Sequence, residues 1–147
     1  MSNSLNWVPP GYGQISVLTI ANPAVATQFK FDPPTNYRCR MLGMRFTLTA
    51  DINVANRQVY LDFYYTTTRI FRIHSDQLQP ASTAWLYSIS PGGQIPKTNS
   101  FGSMEIPWEY MIPFNDLCSL LVFGNAIQAG DQFSDIRVLY EGWASSL

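Results

Sequence analysis

The feature that most constrains this chain is a period-two alternation of apolar and polar residues, cut into short lengths by Gly and Pro. Side chains alternate between the two faces of a β-strand, so such a pattern commits a segment to a sheet and its apolar phase to a core. Tyr37–Ala50 carries it furthest. Tyr37, Cys39 and Met41 share one phase, and Leu42, Met44, Phe46, Leu48 and Ala50 continue in the other. One extra residue reverses every later side chain, so a β-bulge is expected beside Gly43.

Further strands are expected at Gln14–Ile20, Arg57–Tyr65, Arg69–His74, Thr83–Ser90, Met104–Ile112, Cys118–Asn125 and Ser134–Trp143. The turn-forming Asp51–Asn56 separates two of them, and Tyr37–Ala50 with Arg57–Tyr65 reads as an antiparallel hairpin. Asp76–Thr83 has room for one helical turn, and no window shows a capped helical period. About eight short strands in 147 residues predict an all-β fold, an antiparallel sandwich of jelly-roll type, spanning residues 14–147 behind an extended arm, Met1–Gly13.

Several strands are apolar on both phases. Ile15 and Val17 oppose Leu18 and Ile20; Tyr60 and Tyr64 oppose Val59, Leu61 and Phe63; Leu139 and Trp143 stand against Ile136, Val138 and Tyr140. A free-standing sandwich alternates apolar-in and polar-out. Apolar outer faces are covered by loops of the same chain or are left for a partner.

Charged residues are 13% of the chain against a typical share of about 25%. Such a surface meets a neighbour without desolvating many ions. The net charge is −1, and the nine Lys and Arg residues form no run, so direct binding of nucleic acid is not expected. The apolar stretch Leu117–Phe123 is too short to span a bilayer, and Met1–Gly11 lacks the basic and apolar regions of a secretory leader. Synthesis in the cytosol with no membrane partner is the expectation. Cys39 and Cys118 lie in apolar segments and read as reduced, packed thiols, although the sequence allows a bridge between them.

No catalytic, cofactor or metal site emerges. The lone histidine, His74, with Asp76 resembles a base and its orienter, but no nucleophile motif accompanies them, and the residue reads as the end of an exposed strand. One His and two distant Cys do not make a zinc site. Asp131, Asp135 and Glu141 lack the spacing of a calcium loop and read as ordinary loop carboxylates. Glu105 and Glu109, four apart on a strand, stand roughly 13 Å apart, beyond the roughly 5–9.5 Å of paired glycosidase carboxylates.

Aromatic residues make up 14% of the chain. Trp85 reads as core. Trp7, Tyr60, Tyr64, Trp108 and Trp143 are the candidate interface residues, because Trp and Tyr dominate binding hot spots.

The block Cys39-Arg40-Met41-Leu42-Gly43-Met44-Arg45-Phe46-Thr47-Leu48-Thr49-Ala50, the turn Asn53–Val59, and Gly130–Ile136 leading to Tyr140-Glu141-Gly142-Trp143 resemble the jelly-roll cement or decoration proteins of tailed-bacteriophage capsids. The resemblance spans most of the chain as a style of sequence. It implies a virion structural protein on the capsid surface, a dimer or trimer that binds the major capsid protein and holds the assembled lattice, made in the host cytoplasm. The Met1–Gly13 arm would dock on a neighbour. A glycan- or receptor-binding module of a head or tail fibre is the alternative, with a small glycosidase-like enzyme behind both.

Overall fold

A computed structural model describes residues 13–35, 37–91, 101–106 and 113–144. The described residues contain ten strands and no helix: β1 (Gln14–Ile20), β2 (Phe29–Phe31), β3 (Tyr37–Thr49), β4 (Gln58–Tyr65), β5 (Thr68–His74), β6 (Ala84–Pro91), β7 (Phe101–Ile106), β8 (Pro113–Phe114), β9 (Cys118–Asn125) and β10 (Gln132–Ala144). They form two sheets packed as a β-sandwich. The first runs β1-β10-β3-β6-β7, with β8 beside β3, and the second runs β2-β9-β4-β5. Every pairing is antiparallel except β6 with β7. The pairs are nested: β1 lies on β10, β2 on β9, β3 on β6 and β4 on β5.

The bulge expected beside Gly43 is present. Met41 pairs with Tyr140 and Gly43 with Leu139, so Leu42 is the extra residue. Cys39 and Met41 before it, and Met44, Phe46 and Leu48 after it, are all buried. A second bulge falls in β10, where Asp135 adopts φ 51° between Ser134 and Arg137. It lets Phe133 and Ile136 both point inward.

The core lies between the inner faces. Phe46, Tyr87, Ile89, Ile136 and Val138 come from the first sheet; Phe29, Phe31, Val59, Leu61, Leu120 and Val122 come from the second. Phe29 joins them edge-on, with its ring 5.2 Å from Phe46 and 5.4 Å from Phe133. Burying each such side chain contributes about 1.5–3 kcal/mol.

Three expectations are corrected. β3 and β4 do not form a hairpin: they belong to opposite sheets, and residues 50–57 cross the end of the sandwich between them. Arg57 explains the crossing. It is fully buried and binds Asp51 and Asp131 there, which anchors the segment to the loop before β10. Asp76–Thr83 holds no helical turn; Gln79 instead makes an isolated bridge with Arg57. The region expected as Met104–Ile112 is strand from Phe101 to Ile106, and residues 107–112 lie outside the described set. β2 and β8 have three and two residues, too few to display a period.

Candidate functional site

The outer face of the second sheet gathers the most interaction-prone side chains. Alternation in β4 sends Val59, Leu61 and Phe63 into the core and leaves Gln58, Tyr60, Asp62 and Tyr64 outside. The register places His74 and Phe123 beside Tyr60, Arg72 and Leu121 beside Asp62, and Arg69 and Ser119 beside Tyr64. Tyr60 and Phe123 stack with ring centres 5.4 Å apart and planes 19° from parallel. The Arg72 guanidinium lies over both, 4.8 Å from the Tyr60 centroid and 5.1 Å from that of Phe123.

Arg72 also grips Asp62 with a two-pronged bond, Nε to Oδ1 at 2.6 Å and Nη2 to Oδ2 at 2.8 Å. Those hydrogen bonds, set against partial desolvation, hold the guanidinium above its already high pKa. Arg69 adds a longer contact to Oδ2 at 3.7 Å. Asp62 is buried although it projects outward, because this canopy closes over it. Tyr60 Oη donates to Gln58 Oε1 at 3.0 Å, and the Gln58 amide nitrogen lies 3.1 Å from His74 Nδ1. Tyr60, Phe123 and Arg72 are therefore held by contacts within the chain itself. A partner that covers Arg72 meets a charge already neutralised, which lowers the desolvation cost of docking. Arg and Tyr in one ordered cluster is the composition of a protein-binding hot spot.

The expected interface residues do not all meet here. Tyr60 and Tyr64 share this face, but Trp143 belongs to β10 in the other sheet. Trp143 is half-buried, and its ring lies against Gly13: a Cβ on Gly13 would stand 2.9 Å from Cε3 and 2.8 Å from the Gly142 carbonyl. Only glycine fits there. Trp7, Trp108 and all but the last residue of the Met1–Gly13 arm lie outside the described residues. Sequence reasoning missed Arg72, Asp62 and Phe123. Phe123 sits in a β9 stretch apolar on both phases, Leu120-Leu121-Val122-Phe123, so its outward phase had no marker.

Asp131 and Glu141 are not ordinary loop carboxylates. Asp131 is buried against Arg57, and Glu141 lies within β10, buried against Arg40 with Nε to Oε2 at 2.6 Å. Glu141 Oε1 also accepts the Gly13 N–H. Asp135 is exposed at the β10 bulge. His74 is exposed at the end of β5, and Trp85 is core. Cys39 and Cys118 are free, buried thiols. Compared with known proteins, the chain matches no family model, no curated protein and no solved structure.

Proposed function

We propose that this chain is a non-enzymatic virion structural protein, a jelly roll that binds an assembled capsid lattice as a dimer or trimer and stabilises it. The nested pairing of β1, β2, β3 and β4 with β10, β9, β6 and β5 carries the reading. Nested antiparallel pairs of this kind are what a ribbon rolled into a two-sheet jelly roll would give, and jelly rolls recur in viral capsid and lectin domains, which supports the reading. Among its possible uses, cementing fits the fixed Tyr60–Arg72–Phe123 surface, which has the makings of a protein contact. A partner that binds only the assembled shell stabilises it by mass action. The capsid surface, reached after synthesis in the host cytoplasm, is the site of action under this reading. The major capsid protein and the chain itself are the partners, and the Met1–Gly13 arm is a docking strap.

The sugar-binding alternative needs open aromatic faces, whereas Arg72 already lies over the Tyr60 and Phe123 rings. Size-exclusion chromatography with light scattering, run beside a glycan array, tests the choice. A dimer or trimer that Tyr60→Ala with Tyr64→Ala disperses, and that binds no glycan, is the expected result. A strict monomer that binds glycans overturns it.

A further inference from the structure

The outer face of the first sheet holds a different kind of site. Lys30, Arg40, Arg57, Arg69 and Arg72 each lie within ion-pair distance of a carboxylate. Among the described residues, Arg38, Arg45 and Arg137 have no such partner, and all three project from β3 and β10 on this face. Arg45 and Arg137 are direct cross-strand neighbours. Like charges in that position destabilise a sheet. Asp135, the nearest acid along β10, makes no ion pair with either.

The two arginines border a groove of about 460 Å³ walled by the exposed Val17 and Leu139, with Ser88 at the β6 side, and Gly43 and the core residues Met44 and Ile89 line it from β3 and β6. The groove exists because Gly43 supplies no side chain in the row Val17, Leu139, Gly43. A Cβ there would stand 3.3 Å from the Ile89 carbonyl. Val17 is 59% exposed and Leu139 39%, so the apolar wall is open to a visitor. The face therefore has two adjacent rows. One is apolar, Val17 and Leu139; the next, two residues along β10, is cationic, Arg137 and Arg45.

We infer that this groove receives an extended acidic segment of a partner protein, with a carboxylate over Arg45 and Arg137 and an aliphatic side chain two residues away over Val17 and Leu139. Residues two apart in an extended chain share a face at roughly 6.7 Å, the same spacing that separates the two rows. A carboxylate between two guanidiniums forms charge-assisted bonds and removes their mutual repulsion. The apolar row selects against a phosphate backbone, which offers nothing to Val17 and Leu139. The groove is wide open, unlike a site that encloses a small molecule. It lies on the sheet opposite Tyr60 and Arg72, so the inference stands apart from the reading of that cluster.

Fluorescence anisotropy with a labelled octapeptide alternating glutamate and valine two residues apart, against its glutamine counterpart and an oligothymidylate of equal charge, tests it. The glutamate peptide should bind at least about tenfold more tightly than the glutamine peptide. That preference should vanish in Arg45→Gln with Arg137→Gln and weaken with salt. Arg137→Gln alone should also lose it while raising the thermal midpoint, which keeps the test valid if the double variant folds poorly. No binding of the glutamate peptide, equal binding of both peptides, or tighter binding of the oligothymidylate would each overturn the inference.

Discussion

Arg57 Nε and Nη2 lie 2.9 and 3.0 Å from the two carboxylate oxygens of Asp131, and solvent reaches neither side chain. Asp131 Oδ1 also accepts the Asp51 N–H at 2.8 Å, and Oδ2 accepts the Gln128 N–H at 2.8 Å. Each oxygen thus accepts two donors. In Asp131→Asn one oxygen becomes an amide nitrogen that faces donors it cannot accept. Arg57 then loses one of its two bonds to residue 131 and the charge that balanced it there, and keeps Asp51 and the Ala55 carbonyl. The expected cost is about 3–5 kcal/mol, read as a lower urea midpoint with an unchanged slope. A loss under about 1 kcal/mol would mean the pair does not tie the two loops together.

Asp51 adds a pH dependence at the same end of the sandwich. Burial acts to raise its carboxyl, but hydrogen bonds from the Asn53 side chain and backbone and from Gly130 N–H, with the Arg57 charge, hold it below the ordinary 3.8. A carboxyl depressed in the folded state contributes stability above its unfolded pKa. That contribution is lost as pH falls from 3.8 through the lower folded value. Thermal midpoints measured down this range should fall more gently in Asp51→Asn than in the native chain. Parallel acid limbs would remove Asp51 as a source of the slope.

On the outer face of the second sheet, Arg72→Ala removes the fork from Asp62 and leaves only Arg69, 3.7 Å away. A buried carboxylate deprived of its donors costs about 1–3 kcal/mol. Arg72→Lys should recover little, because an ammonium neither forms the fork nor lies flat over Tyr60 and Phe123. Chemical denaturation of the two variants checks this. Full recovery by lysine would show that charge alone matters there.

Much of the fold was legible because alternation is local. The phase change at Leu42 is visible within Tyr37–Ala50, and β9 falls at Cys118–Asn125 as expected. What escaped was long-range. The polar Asp51–Asn56 reads as a hairpin turn until Arg57 is seen to bind Asp131, 74 residues away. Glu141 looks like any carboxylate until Arg40, 101 residues away, covers it. Tyr60 and Tyr64 could be placed on the outward phase of β4, since Val59, Leu61 and Phe63 define the inward one. Arg72 and Phe123 could not, because their roles depend on the lateral register of three strands.

Cys39 makes the opposite pH prediction. Burial first, and then the charge of Cys118 when ionised, push its thiol from 9.0 up to about 12. At pH near 8 it should resist iodoacetamide in the folded chain and react once urea is added, as mass spectrometry would record. An acid group raised in the folded state contributes stability below its unfolded pKa. That stability declines as pH rises from 9.0 towards about 12. Cys39→Ala should flatten this alkaline decline; rapid labelling of native Cys39 would contradict the assignment.

The β3 bulge permits a sharper test of what the sequence encodes. Leu42 is the extra residue between the Met41–Tyr140 and Gly43–Leu139 pairs. Deleting it joins Met41 to Gly43 and restores plain alternation: Met41 inward, Gly43 outward, Met44 inward. Every later pair with β10 and β6 is kept. Deleting Thr47, an outward residue of the same strand, has no such remedy. Either Leu48 turns outward, or the bulge is ironed out and Arg45 turns inward while Met44 and Phe46 leave the core. Phe46 and Leu48 are fully buried, and losing such side chains at about 1.5–3 kcal/mol each, with a charge or Thr buried in exchange, removes much of a typical 5–15 kcal/mol. Circular dichroism melts should therefore show a cooperative transition for the Leu42 deletion and none for the Thr47 deletion. Equal damage from both would mean that β3 needs the bend itself, beyond the phase it sets.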